Sequence, residues 1–360
     1  MARKTRIKDI AQMAGVSAGT VDRVLHNRGN VSSSALEAVE EVLKQVGYKP
    51  NIHLAGISMK RHYTIVVAMP EFKTGEYWER AYMGIERALQ VYESIQIECL
   101  FMHYNQYDLY ACRSLFERIL EMEFDGLIIS PTFRDETFYL VSRLEERNIP
   151  YVYIDSTIDG TSPLACYTAD LYTSGYLMGK LIDLTTPHDA EYVLFQAIRV
   201  GDASANPTGM RKRGFMDYFS EHNLVPRLHR ASFSVLDEAL NEKLIGNFFE
   251  LHPEVRGATV LSSRVSVIAA YLRKHHIRGV KLIGLDLTDD NMRDVERGDI
   301  DFILGQRPAQ QGYMAVKTLI HYLIYGRVAD KTSIMPLDII TRENLSLYHE
   351  FIDTSDIKGL

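Results

Sequence analysis

Ser17, Thr20 and Arg23 fall three residues apart, so a helix carrying them turns all three toward one face. Hydroxyls at such positions bond phosphate oxygens, and the Arg23 guanidinium reaches a guanine edge or a phosphate. Just upstream, Arg3, Lys4, Arg6 and Lys8 stand against a lone Asp9, a local basic patch in a chain of net charge -7. A second group sits farther along, each member just past an apolar run: Tyr77 and Trp78, Thr132, Asp155, Ser263, Asp286 and Gln306. Carboxylates accept hydrogens from sugar hydroxyls, amides donate and accept, and aromatic rings stack on the apolar faces of sugars. Of Tyr77 and Trp78, one ring is expected to contact ligand, the competing reading being that it only anchors its helix to the lobe. Asp155 either accepts from hydroxyls or caps a turn, and both readings stay open.

Signals for catalysis or metal are missing. There is no G-x-x-x-x-G-K-[ST], H-E-x-x-H or G-x-S-x-G pattern. His275 and His276 are adjacent, not helically spaced. Cys99, Cys112 and Cys166 are odd in number and far apart, so they read as buried thiols in a reducing compartment, forming neither a disulfide frame nor a zinc site. We expect a non-enzyme with no cofactor and no metal. No secretory signal and no membrane-length apolar run is read from the sequence, so a cytoplasmic location is expected.

The first group needs a helical frame. Ile7, Ile10, Ala11 and Ala14 make one apolar face, Gly15 breaks that helix by taking a left-handed turn, and Ser17 caps a second helix with Val21, Val24 and Leu25 as its buried stripe. This is a helix–turn–helix, a motif that lays its second helix in the major groove. A third helix over about 33–46 is expected, capped by Ser32, with Leu36, Val39, Leu43 and Val46 as its stripe and Gly47 as its stop.

The second group needs sheets. Strands are predicted at Tyr63–Met69, Ile95–Met102, Gly126–Ser130 and Tyr151–Ile154, with helices near 78–92, 109–121 and 137–147 between them. A second series gives strands at Tyr192–Phe195, Leu228–Phe233, Ala258–Leu261, Lys281–Leu285 and Phe302–Gly305. Apolar strands alternating with helices imply parallel sheets covered on both faces. Ligands of such sheets sit at the carboxyl ends of the strands, which is the rule that selects the second group.

The run IKDIAQMAGVSAGTVDRVL, then VSSSALEAVEEVLKQVGYKPN, closely resembles the N-terminus of the lac-repressor (LacI/GalR) family of bacterial transcription regulators. Asp9-Ile10-Ala11, Ala14-Gly15-Val16-Ser17, Thr20-Val21, Arg23-Val24-Leu25, Val31-Ser32, Gly47-Tyr48 and Pro50-Asn51 match its pattern in order and spacing. The resemblance implies a ligand-responsive DNA-binding regulator, expected to be a repressor. It further implies an all-α helix–turn–helix head joined to an α/β two-lobed core like that of periplasmic sugar-binding proteins. Its expected partners are operator DNA and a small-molecule effector, and the chain is expected to form a homodimer or a higher assembly. Ala18 and Gly19 occupy positions that in the family often carry base-reading side chains, and Asn51 belongs to its motif at the end of the head. The family's minor-groove wedge falls on Ile57, which otherwise packs under the core. Here the usual Arg of the hinge is missing, and Gly56 lowers helix propensity by about 1 kcal/mol relative to Ala. The resemblance also singles out Arg211, four residues before Phe215, with Arg213 as the competing choice, and it matches Asp286 and Gln306 to ligand contacts. Ser262-Ser263 stands where many relatives have Asn-Asp.

The expected organisation is a head over 1–49, a linker over 50–62 and a core over 63–360. Within the core, lobe 1 is expected over about 63–165, with the crossover near 155–170, lobe 2 over about 166–300 and C-terminal crossover segments over 301–360. Carboxylates, amides, an Arg and aromatics suit a monosaccharide or sugar acid, and a purine-like ligand also fits the Arg and aromatics. The other readings are a solute-binding protein that does not bind DNA and an enzyme acting on a bound sugar.

Overall fold

The computed structural model describes residues 6–25, 31–46, 62–201, 206–326 and 332–348. The head comprises α1 (Ile7–Met13), α2 (Ala18–Leu25) and α3 (Ser33–Gln45). Gly15 takes φ 66° at the turn, and the Ser17 hydroxyl accepts from the Thr20 amide at 3.0 Å. Ile10, Ala11, Val21, Val24, Leu25, Val39 and Val42 close a small core. Leu36 was expected in that core but is exposed, and Val42 takes the inward place beside Val39. With a step of three residues from Val39 to Val42, the stripe turns away from the side bearing Leu36.

Two six-stranded sheets follow. The first contains β1 (Tyr63–Pro70), β2 (Ile97–Tyr104), β3 (Gly126–Ile129), β4 (Tyr151–Ile154), β5 (Ala165–Ala169) and β11 (Thr332–Met335), in the order β11-β5-β4-β3-β1-β2, all parallel. The second contains β6 (Glu191–Ala197), β7 (Leu228–Phe233), β8 (Val255–Val260), β9 (Lys281–Leu285), β10 (Phe302–Gly305) and β12 (Asp338–Ile340), in the order β12-β10-β9-β8-β6-β7, with only β12 antiparallel. The two orders are the same pattern repeated. Alternate residues of the inner strands enter different cores: Ile65, Val67 and Met69 one, Val66 and Ala68 the other. Both faces are therefore covered, as the unbroken apolar runs demand.

In the first lobe the helices are α4 (Tyr77–Val91), α5 (Leu109–Leu120) and α6 (Arg134–Glu146). The second carries α7 (Leu171–Thr185), α8 (Asn206–Glu221), α9 (Glu238–Leu251), α10 (Val265–Lys274) and α11 (Asp289–Arg297). The long α12 (Pro308–Tyr325) returns to the first lobe and packs Tyr313, Val316, Leu319 and Ile320 into its core. Each lobe has one very close helix pair seated on glycine. A Cβ on Gly84 of α4 would lie 1.9 Å from the Ala309 carbonyl of α12, and one on Gly175 of α7 would lie 1.9 Å from the Arg211 carbonyl of α8.

Among the described residues the chain crosses between lobes three times: at Asp170, which caps α7, at Gln306-Arg307, and at Pro336-Leu337. Three expectations change here. Ala165–Ala169 is the fifth strand of the first sheet, so that lobe extends past residue 165. Phe302–Gly305, assigned to the crossover segments, is an inner strand of the second sheet. The second strand starts at Ile97 because Ile95 closes a turn on the Tyr92 carbonyl at 2.9 Å. A short strand such as ACYTA is hard to see because one hydrogen-bonding edge, supplied by β11, arrives from 160 or so residues later.

Candidate functional site

A pocket of about 830 Å³, part of it open to solvent, lies between the carboxyl ends of the two sheets. In each lobe the strand order reverses direction beside the first strand, at β1/β3 and at β6/β8, and this is where open α/β sheets bind ligands. Tyr77, Trp78, Thr132, Asp155, Arg211, Ser263, Asp286 and Gln306 all line this one pocket.

The helices and strand ends fix these groups locally. Tyr77 and Trp78 open α4, with their rings edge to face at 4.9 Å. The Tyr77 hydroxyl donates to Asp155 Oδ1 at 2.9 Å, and Trp78 Nε1 donates to Gln106 Oε1 at 3.4 Å. The Thr132 hydroxyl pairs with that of Tyr104 at 2.8 Å. Asp155 follows β4 and Asp286 follows β9, at equivalent places in the two lobes, and both have φ 69°. Asp is among the few non-glycine residues that take this left-handed region readily. Both carboxylates are buried and face the pocket. Gln306 Nε2 donates to Asp286 Oδ1 at 2.7 Å, and Arg211 Nη2 donates to Gln306 Oε1, so an Arg–Gln–Asp chain spans the second lobe. Gln311 of α12 joins the two halves: its Oε1 accepts from the Asp155 amide and its Nε2 donates to the Gln306 carbonyl, both at 2.8 Å.

Burial pushes the Asp155 carboxyl above its ordinary range, against the opposing pull of Arg211 and the Tyr77 hydroxyl. Tyr77 is raised well above its usual value, first by burial and then by Asp155 and Asp286. Among the described residues, Arg211 Nε and the Ser262 hydroxyl are buried without a hydrogen-bond partner. Buried donors left open in a pocket are where a ligand's oxygens would bind. The chemistry on offer is therefore hydrogen-bond donors and acceptors with aromatic walls, suited to a small polyhydroxylated molecule.

Several lining residues escaped the sequence reading. Gln106 and Tyr107 follow β2, while Gln196 and Arg199 end and follow β6. Arg199 lies over the Phe133 and Tyr107 rings, at 4.9 and 5.5 Å from their centroids. The strand-end rule reaches all four, but Ile198-Arg199-Val200 reads like a continued strand. Val200 instead forms a bridge across the cleft, donating to the Tyr107 carbonyl at 2.8 Å and accepting from the Leu109 amide at 3.2 Å. Arg264 Nη1 meets Glu76 Oε1 at 2.7 Å, again lobe to lobe. These contacts tie the two lobes together at the rim of the cleft.

On the head, Lys8, Ser17, Ala18, Gly19 and Arg23 are exposed and Thr20 is half-buried, its hydroxyl 2.9 Å from that of Ser17. Arg3, Lys4, Asn51, Gly56 and Ile57 lie outside the described residues.

A helix–turn–helix head in one chain with a two-lobed, ligand-clasping core defines a class: DNA-binding regulators controlled by a small molecule. Residues 65–327 match the periplasmic binding protein domain, and residues 6–51 match the bacterial regulatory proteins of the lacI family. The solved structure of a putative LacI transcriptional regulator from Bacteroides fragilis is 31% identical, with a TM-score of 0.76, covering 80% of this chain and 100% of that one. The ribose operon repressor of Halalkalibacterium halodurans is 26% identical over 279 residues, 77% of each chain. GanP, a glucose-galactose binding protein from Geobacillus stearothermophilus, shares the fold at 20% identity and a TM-score of 0.67, covering 79% of this chain and 99% of that one. The chain belongs to the lacI family of bacterial regulatory proteins. Among the described residues no helix is long and apolar enough to cross a membrane.

Proposed function

We propose that this regulator is a repressor whose interlobe pocket takes a monosaccharide or sugar acid, and that the bound ligand changes how two copies of the head grip operator DNA. The observation that carries the reading is the convergence of Asp155, Asp286, Gln306 and Arg211 with the Tyr77–Trp78 pair in one pocket. A ribose operon repressor among the relatives supports the sugar class, as does a sucrose operon repressor of Staphylococcus xylosus, 24% identical over 229 residues, 63% of this chain and 66% of that one. A purine would use Arg211 and the rings but would leave two buried carboxylates facing few donors.

The head over 1–49 reads one half-site, so the working unit is a homodimer on a near-palindrome. Lys8, Ser17, Thr20 and Arg23 make the contacts, Ala18 and Gly19 lie against the groove, and Asn51 closes the head. In the linker over 50–62, Ile57 wedges into the minor groove. Base readout through Ala18 and Gly19 is thin, so DNA shape contributes specificity. The chain acts in the cytoplasm, where its operator is, and binds without turning its ligand over. Ligand and DNA are coupled by about 1–3 kcal/mol.

The test is a thermal-shift screen of the full chain against monosaccharides, sugar acids and nucleobases, followed by operator binding with and without the best hit. A nucleobase as the only stabilising class would refute the sugar reading. Promoter fragments bound no better than random duplex, with and without the hit, would refute the regulator reading.

A further inference from the structure

The second lobe carries a cluster at the end of its sheet away from the pocket. Glu191 opens β6, His229 is the second residue of β7, His252 caps the C-terminus of α9, and Glu254 immediately precedes β8. These four residues are dispersed over more than sixty positions, so no spacing motif announces them. Parallel pairing of β6 with β7 and β8 brings their amino-terminal ends together, with Val193 opposite His229 and Glu191 opposite Val255. One nitrogen or oxygen from each of the four side chains lies within 4.8 Å of the others.

We infer that Glu191, His229, His252 and Glu254 form a binding site for one divalent transition-metal ion of the zinc class. Two imidazoles and two carboxylates are a donor set such ions take, and two carboxylate charges balance a doubly charged cation. In a tetrahedral zinc site with bonds of about 2.0–2.2 Å the ligand atoms lie ~3.4 Å apart. His252 Nδ1 to Glu254 Oε1 is 3.3 Å, His229 Nε2 to Glu191 Oε2 is 2.5 Å and must open by about 0.9 Å, and the other donor atoms, all within 4.8 Å of one another, need to close by at most about 1.4 Å. The side chains are partly exposed and free to make that adjustment, and an ion has a path in from solvent. The imidazole rings lie 4.0 Å apart, with Phe248 beside both at 6.0 and 4.9 Å. That wall limits how far either ring swings away. The bound ion would tie the α9–β8 turn to the edge strand β7.

The test is titration of the intact protein with zinc chloride by calorimetry, with cobalt(II) as a spectroscopic stand-in. Wild type is expected to bind one ion at this site, to gain thermal stability with zinc, and to give the visible absorption of a low-symmetry cobalt site. H229Q and H252Q should each weaken that binding at least about tenfold. E191Q and E254Q, which keep both rings, should weaken it as well, and circular dichroism checks that every variant folds. H275Q removes an imidazole paired with Glu242 at 2.7 Å elsewhere on the lobe and should change nothing at the site. A wild type that binds no zinc overturns the assignment. So does an H229Q/H252Q double variant that binds as many ions as tightly as wild type, or a loss of binding in H275Q alone.

Discussion

Gly175→Ala adds a single methyl group where there is no room for it. The new Cβ would sit 1.9 Å from the carbonyl oxygen of Arg211 and 2.7 Å from its carbon, whereas real Cβ atoms essentially never approach closer than 3.0 Å. The α8 backbone must therefore retreat by at least 3.0 − 1.9 = 1.1 Å. The obstacle is backbone, so no side-chain rotation relieves it. Overpacking of this kind costs about 1–3 kcal/mol. At roughly 2–4 °C per kcal/mol for a large domain, the melting midpoint falls by about 2–12 °C. The displaced residue is Arg211 itself, whose guanidinium ends the chain through Gln306 to Asp286. The ligand-induced rise in melting temperature should shrink as well. The assay is thermal unfolding of the full chain, with and without the sugar that stabilises wild type most. Gly209→Ala on the same helix is the control: no described residue lies within 4 Å of its added Cβ, and replacing glycine in a helix by alanine stabilises by about 0.5–1 kcal/mol. If Gly175→Ala melts with wild type and keeps the full ligand response, the close approach of α7 to α8 does not position Arg211 and the reasoning fails.

Arg23→Ala should abolish operator binding at fixed salt while leaving the melting curve of the core unchanged, because Arg23 is exposed on α2; unchanged binding in a gel-shift titration would refute the assignment of that helix. Asp155→Asn keeps an acceptor for Tyr77 and tolerates the left-handed backbone, but removes a buried charge. Since burial raises the folded-state carboxyl, the cost is present when Asp155 is ionised and fades as pH falls through its raised value, so the variant should melt above wild type at neutral pH and lose that advantage in acid. The same variant should bind sugar about ten- to a hundred-fold more weakly, as expected for losing a charge-assisted hydrogen bond, and calorimetry would show it. Burial tends to raise Glu76, but Arg264 together with Lys73 outweighs that and holds it below its ordinary range, so the rim contact stabilises above the ordinary value and is lost as pH falls through the depressed one. The melting difference between wild type and Glu76→Gln should accordingly vanish in acid, and a difference that persists there would point to packing in place of charge.

What the sequence by itself determined was everything that rests on local periodicity and on a rule about strand ends. Ile10, Val21, Val24 and Leu25 reveal a packed helical head because helix spacing puts them on one side, and Gly15 marks the turn because only a residue without Cβ enters it freely. Apolar strands alternating with helices imply parallel sheets, and the strand-end rule led to Asp155, Asp286 and Gln306, which the fold then brings to one pocket. What only the tertiary structure decided was every contact between distant segments. β5 is completed by β11, Gln311 reaches from α12 to both Asp155 and Gln306, Val200 bridges the lobes, and the Glu191–His229–His252–Glu254 cluster gathers from three strand starts. Local spacing constrains which face a side chain occupies. Which faces meet depends on the three crossings of the chain between lobes, and no window of neighbouring residues carries that information.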